Sequence, residues 1–344
     1  MMVAPTITAL MTTYNCASTV EDTIKSILAQ SYTNFEFLIL DDGSTDDTCA
    51  RIKGISDSRI RFHQYKDNSG VGARLSQALE LITTPYIAKV DSDDISSPER
   101  FSKQLAYLQE NQHVSLVKSY IDYFPDNDIV AQSERYTLFK KVKEHEINSV
   151  NTAELIHREL RRWSCFPHTT YMGKTSSIKD IGYPNSRIFE DYYLFYTMLN
   201  RGYVLGCIPE YLVRMRVSNS STTATTTEST IDEGLNVIVD FKLDAIKAVV
   251  RSKNIFIYGS GQLAQSLARN LLKRDILVSA FLDKEHKAPV NIADNVYPVV
   301  NINEAELNKI HDSVIVAAQP VRDQICHFLT LEGWEEWKHF MVIA

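Results

Sequence analysis

The chain has 344 residues, 44% of them hydrophobic and 23% charged, with a formal net charge of −7 at pH 7. That length suits two domains better than one core, and the acidic balance argues against nucleic acid as a general partner, because phosphate backbones are bound by excess Lys and Arg. Cys16, Cys49, Cys165, Cys207 and Cys326 lie scattered without C-x-x-C spacing, which points to neither a disulfide framework nor a zinc site and suits a reducing cytoplasm. No stretch approaches the ~20 apolar residues of a membrane span, and the opening MMVAPTITALMTTYN lacks the basic start of a signal peptide, so membrane contact is expected to be peripheral at most.

Strand-like and helix-like runs alternate from the start, the pattern of an α/β sheet. Strands are predicted at TITALM (6–11), FEFLILD (35–41), IRFHQY (60–65) and YIAKVD (86–91). Ser18 and Glu21 read as a capping box for a helix whose apolar face is Val20, Ile24, Ile27 and Leu28. Val71, Leu75, Ala78, Leu79 and Ile82 mark a second helix, and Ser97 with Pro98 is placed to open a third that runs towards Asn111. Ligands of parallel sheets bind beyond the carboxyl ends of the strands. Here those ends are all polar: TTYN, DDGSTD, NSGVGAR and DSDD. Residues 218–230, SNSSTTATTTEST, hold ten Ser or Thr in thirteen positions and read as a linker or lid that divides 1–217 from 231–344. Beyond it come an amphipathic run (Ile231, Leu235, Ile238, Phe241, Ala245, Val249) and further strands at IFIYG, VSAFLD, SVIVAA and FMVIA.

The stretch KVDSDDISSPERF sets three carboxylates, Asp91, Asp93 and Asp94, within four residues at a strand end. Asp91 and Asp93, two apart on an extended chain, face the same way. Hard oxygen ligands of this kind suit Mg2+ or Mn2+, which keep coordination positions open for phosphates. The simpler reading is a set of loop and helix-capping carboxylates.

TTYN, DDGSTD and DSDD, in that order and each at the end of its own strand, resemble the family 2 inverting nucleotide-sugar glycosyltransferases, which have the GT-A fold; the resemblance covers about the first 220 residues. It implies that Thr12 and Tyr14 contact the nucleotide base and ribose, that Asp42 accepts a hydrogen bond from the base, and that Arg74 meets the diphosphate. It implies further that Asp91 lies near the donor ribose and metal, and that Asp93 is a direct metal ligand. In SRIFEDYYLFYTMLNRGY (186–203) it matches Glu190 and Asp191 to the family's acidic pair at a helix start, with Asp191 as catalytic base. WSCFPHTTYM (163–172) is similar to the segment beneath the acceptor, with Trp163 and His168 as candidate contacts. In LVRMRVSNSS many members carry a His that reaches the metal or diphosphate; Arg216 stands there instead, and an Arg can pair with a diphosphate but cannot ligate a metal.

GSGQLA (259–264) follows a strand and opens a helix, and Asp283 ends the next strand, the context of a dinucleotide fingerprint built on Gly259 and Gly261. The module also resembles small Rossmann-like domains attached to enzymes of sugar-nucleotide metabolism. The remaining chain is short for two mononucleotide-binding halves, so a partial nucleotide site or docking platform is expected before a complete NAD site. The basic runs LFKKVK and HRELRRW read as solvated faces, with membrane phospholipid or a lipid-linked acceptor as the alternative. The expectation is a cytoplasmic, metal-dependent, inverting transferase, moving a sugar from a UDP-sugar to a surface glycan or a lipid-linked acceptor. Its rivals are a nicotinamide-dependent oxidoreductase or redox sensor centred on Gly259 and Gly261, and a non-catalytic sugar-nucleotide scaffold.

Overall fold

In the computed structural model, which describes residues 4–219, 227–251 and 253–343, the alternating elements form two compact α/β units. One comprises Met1–Leu160 and Ser164–Thr225, the other Arg161–Trp163 and Thr226–Ala344. Most of the Ser/Thr-rich run, 220–226, lies outside the described residues, and the linker or lid reading lies there with it.

In the first unit, β1 (Ile7–Thr13), β2 (Phe35–Asp41), β3 (Ile60–Gln64), β4 (Tyr86–Asp91), β5 (Ile95–Ser96), β6 (Val114–Pro125), β7 (Met172–Lys174) and β8 (Val204–Val217) make one mixed sheet in the order β3-β2-β1-β4-β7-β6-β8-β5. β1 to β4 are parallel, and β7 runs antiparallel to both β4 and β6. β1 and β2 are buried almost throughout, as central strands covered on both faces are. On one face Ile7, Ala9 and Met11 join Val20, Ile24 and Ile27 from the helix Val20–Leu28 and Phe101, Leu105 and Leu108 from the helix Arg100–Glu110. The helix Val71–Leu81 lies against β1 and β2. The register pairs Thr12 with Asp91 and Thr13 with Asp41. Three polar strand ends therefore meet at one rim.

Two helix starts differ from expectation. The Ser18/Glu21 capping box does not form: Thr19 is the N-cap, its hydroxyl donates to the carbonyls of Cys16 and Ser92, and Glu21 pairs with Lys25 and Arg51. The third helix opens at Arg100 rather than Pro98, because Ser96 belongs to β5 and the Ser97 N–H is drawn to the Leu212 carbonyl on β8.

The second unit contains β9 (Asn254–Tyr258), β10 (Ala280–Asp283), β11 (Val290–Ile292), β12 (Asn295–Tyr297), β13 (Val299–Asn301), β14 (Asp312–Val316) and β15 (Phe340–Val342). Five of them make a parallel sheet, β13-β10-β9-β14-β15, while β11 and β12 pair as a separate antiparallel ribbon. The long amphipathic run is broken in two, Glu228–Phe241 and Leu243–Val250. At the break Lys242 is fully buried, and its ammonium donates to the carbonyls of Arg161 and Ile343. An unpaired buried ammonium is costly, so carbonyls freed from regular structure gather around it.

Candidate active site

Asp91 closes β4, and the chain then turns through Ser92, Asp93 and Asp94 into β5. The turn is held from several sides. Thr19 and Thr23 hydroxyls donate to the carbonyls of Ser92 and Asp94. The Arg216 backbone N–H donates to Asp94 Oδ1 at 2.8 Å, and its Nε to the Asp93 carbonyl at 2.9 Å. The rest of the Arg216 guanidinium lies on the Phe124 ring and within 3.2 Å of Asp126. Below the turn, buried Arg100 donates to the carbonyls of Lys89 and Tyr171. These bonds fix the backbone of the turn and one oxygen of Asp94. Burial and the charge of Asp91 push Asp93 up to about 6, and burial with the charges of Asp93 and Asp91 pushes Asp94 well above the ordinary range.

Lys89 is the residue that motif reading missed. It is fully buried, and its ammonium lies 2.5 Å from Asp91 Oδ1 and 2.8 Å from the Val90 carbonyl. Burial opposes ionisation of Asp91, but the Lys89 charge beside it, with Arg100 beyond, holds its carboxyl below the usual value. The signal was present in the sequence: Lys89 stands two residues before Asp91, on the same side of an extended strand.

Glu190 and Asp191 form the first turn of the helix Glu190–Asn200. The residue before them, Phe189, has φ of +64°, a left-handed conformation that is unfavourable for an aromatic side chain and is concentrated at functional sites. Asp191 Oδ1 accepts the Tyr192 N–H at 2.7 Å. Burial, with a contribution from the Asp91 charge, raises Asp191 to about 6. Glu190 is pushed well above its ordinary value by burial and by Asp191. His168 Nδ1 lies 3.3 Å from Glu190 Oε1. Burial and the Lys89 charge lower His168 to about 3, so the imidazole is neutral, and its buried Nε2 has no hydrogen-bond partner among the described residues. His168 thus sits against Glu190 with one ring nitrogen unengaged.

On the other side of the rim, Tyr14 is 48% exposed and Thr12 half-buried. Asn15 and Ser44 tie the ends of β1 and β2 together: the Asn15 N–H donates to Ser44 Oγ and the Thr45 N–H to Asn15 Oδ1. Asp41 accepts from the N–H groups of Gly43 and Ser44, a turn-forming role. Asp42 accepts from the N–H groups of Ser69 and Gly70 and from Arg74 Nε at 2.6 Å. Arg74, expected at a diphosphate, is buried in this ion pair, bonded also to Gln77 and the Asp67 carbonyl and stacked on Tyr65. Its guanidinium serves the loop. Breaking a buried pair leaves an uncompensated charge, so Arg74→Met is expected to cost about 3–5 kcal/mol in urea unfolding. Gly72 was also missed: a Cβ there would meet the Pro184 carbonyl oxygen at 2.2 Å, because the Gly72 N–H bonds the Ser186 carbonyl. That contact stitches the second helix to the segment leading into Glu190.

Trp163 does not belong to the first unit. It sorts with the second, its ring 4.6 Å from the Arg322 guanidinium. In that unit Gly259 has φ of +104° at the end of β9, and Gly261 precedes the helix Gln262–Leu272. Asp283 Oδ2 accepts from Ser260 Oγ at 2.6 Å and Lys287 Nζ at 2.8 Å, so this carboxylate of the possible second nucleotide site closes on the glycine loop.

Among the described residues, no three His, Cys, Asp or Glu side chains are grouped to hold an ion by themselves. The donor set still fits a cation of the Mg2+ or Mn2+ kind, which takes one or two carboxylates and completes its shell with phosphate oxygens and water. Asp93 and Asp94 are raised by burial first and by the neighbouring acids second, Asp91 acting on Asp93 and both Asp93 and Asp91 on Asp94, more than Arg216 offsets. This has a measurable consequence. A carboxyl raised from 3.8 to about 6 on folding, as at Asp93 and Asp191, keeps extra protons on the native state across that window, so stability falls as pH rises through it. Added Mn2+ is therefore expected to raise the thermal midpoint more at neutral pH than at pH 5, as differential scanning fluorimetry will record.

The model of Glycosyl transferase family 2 matches residues 8–182, half of the chain, and the chain belongs to that family. A glycosyltransferase of Haemophilus influenzae is 27% identical over 64% of this chain and 68% of its own. A UDP-Glc:alpha-D-GlcNAc-diphosphoundecaprenol beta-1,3-glucosyltransferase of Escherichia coli, WfaP, is 34% identical over 36% of this chain; the match spans 48% of that relative. Among solved structures, the mannosyltransferase PcManGT of Pyrobaculum calidifontis, in complex with GDP-Man and Mn2+, superposes with a TM-score of 0.52 at 15% identity, over 78% of this chain and 71% of its own. The fold is GT-A, followed by a second α/β unit with a parallel sheet. Among the described residues, no helix is long and apolar enough to cross a membrane.

Proposed function

We propose that this glycosyltransferase is metal-dependent and inverting, and that it moves a sugar from a nucleoside diphosphate sugar, UDP-linked by preference, to a hydroxyl of a glycan or lipid-linked acceptor in surface polysaccharide synthesis. The observation that carries this reading is electrostatic. Asp91 and Asp191, a hundred positions apart in the chain, fold close enough that the charge of Asp91 raises Asp191, and buried Lys89 acts on both.

Thr12 and Tyr14 offer a hydroxyl and an exposed ring to ribose and base, and Asp42, fixed by Arg74, presents a rigid acceptor to a base N–H. Asp91 and Asp93 would hold the divalent cation, which when bound supplies positive charge to the departing diphosphate. Arg216, fastened beside Asp93, adds a fixed cation in place of a ligating His. Asp191 takes the acceptor hydroxyl proton as that oxygen bonds the anomeric carbon; the bond to the diphosphate oxygen breaks, and its electron pair leaves with the nucleotide. A carboxyl near 6 is a stronger base than an ordinary carboxylate and is still ionised at neutral pH. His168 Nε2 is available to orient the acceptor hydroxyl, and Glu190 beside it keeps the imidazole in place. Support for the donor class and the ion comes from relatives, since WfaP is named for UDP-Glc and a lipid diphosphate and PcManGT is complexed with GDP-Man and Mn2+.

The deciding experiment offers a panel of α-linked UDP-, GDP- and dTDP-sugars with Mn2+ and follows the anomeric configuration of the product by proton NMR. A β-linked product is expected. An α-linked product would overturn inversion, and undiminished turnover in excess EDTA would overturn the metal.

A further inference from the structure

β8 does not stay in step with β6. Ser119 pairs with Ile208, Tyr120 with Tyr211 and Ile121 with Val213, so Pro209, Glu210 and Leu212 have no opposite residue on β6. Bulges of this kind twist a strand, re-aim its side chains and gather near functional sites. Tyr211 emerges from this one 60% exposed, with Tyr120 edge-on at 5.6 Å between ring centroids. Tyr120 is itself held by Asn151, whose Nδ2 donates to its hydroxyl at 2.7 Å. Next to Tyr211 opens a cavity of about 600 Å³, inside the roughly 300–1,000 Å³ span of small-ligand sites.

The cavity has two kinds of wall. Ile95, Pro98, Leu212 and Val213 are apolar, whereas Asp122, Lys140, Glu144 and Arg214 are charged. The charges cancel within the wall: Lys140 pairs with Asp122 and with Glu144, and Arg214 Nε lies 3.3 Å from Asp122 Oδ2. An ionic ligand gains nothing from two cations already neutralised by two carboxylates. What remains is a bank of fixed donors and acceptors facing an apolar bank and an exposed aromatic ring. That combination suits a neutral sugar, whose ring carries a C–H face and a rim of hydroxyls. The cavity also adjoins the acid cluster, since Ile95 directly follows Asp94 and Arg214 stands two residues before Arg216.

We infer that this cavity is a glycan subsite, binding a neutral sugar residue of the acceptor away from the reacting hydroxyl. The acceptor role rests on the transferase reading; sugar binding itself does not. The test presents full-length protein, without donor or metal, to an array of neutral oligosaccharides and measures hits by saturation-transfer NMR. At least one glycan is expected to bind, with affinity reduced tenfold or more by Tyr211→Ala and by Arg214→Ala. No binding glycan, or binding indifferent to Tyr211→Ala, overturns the subsite; Tyr211 is exposed enough for that variant to fold even if Arg214→Ala does not. Donor hydrolysis read in parallel should be equal in wild type and Tyr211→Ala. If wild type binds the glycan but hydrolyses no donor, the transferase reading fails while the subsite stands.

Discussion

Asp191→Asn is expected to bind donor as wild type does and to transfer about 10²–10⁴-fold more slowly, the range a positioned general base contributes. The substitution keeps the size of the side chain and its bond to the Tyr192 N–H, so the helix start at Phe189 should persist. It removes the group that takes the proton. Wild-type kcat should rise with pH through about 6 as Asp191 ionises, and that limb should vanish in the variant. Single-turnover transfer of a labelled sugar, with donor affinity measured by calorimetry, separates the two effects. Equal losses in affinity and rate would assign Asp191 to donor binding, and a rate within threefold of wild type would remove it from the chemistry.

Asp93→Ala should weaken metal-dependent donor binding by about 10²–10³-fold, the cost of losing a ligand to the cation that would meet the diphosphate charge. Its effect on stability should have the opposite sign. In the ion-free protein Asp93 is raised by burial and by Asp91, so removing it relieves strain between like charges. The thermal midpoint of Asp93→Ala without metal is therefore expected to equal or exceed that of wild type at neutral pH, and Mn2+ should no longer raise it. A variant that lost stability without metal while keeping Mn2+-dependent UDP binding would show that the carboxylate serves the fold and not the ion.

The acid clusters of the candidate site were legible as clusters because each is local. The D-x-D run and the Glu190-Asp191 pair each sit within one turn of chain, beside a strand end or helix start that periodicity marks. Arg74 was legible as a residue but not in its role, because Asp42, its partner, comes from a different strand end. Nothing in WSCFPHTTYM tells that Trp163 sorts with the second compact unit while the residues after it sort with the first. Lys89 looked like an ordinary polar residue in a strand; only the placement of β4 between β1 and β7 buries it.

By itself, the order of residues determined the alternating α/β elements, the polar tips of the first four strands and the identity of the acids, since these depend on contacts within a few residues. Which charges meet was decided only by the folded chain. Strand order and close approaches such as Gly72 against Pro184 bring distant groups into a medium of low dielectric, where burial and neighbouring charge, rather than residue type, set whether a carboxyl is a base, a ligand or a partner in an ion pair.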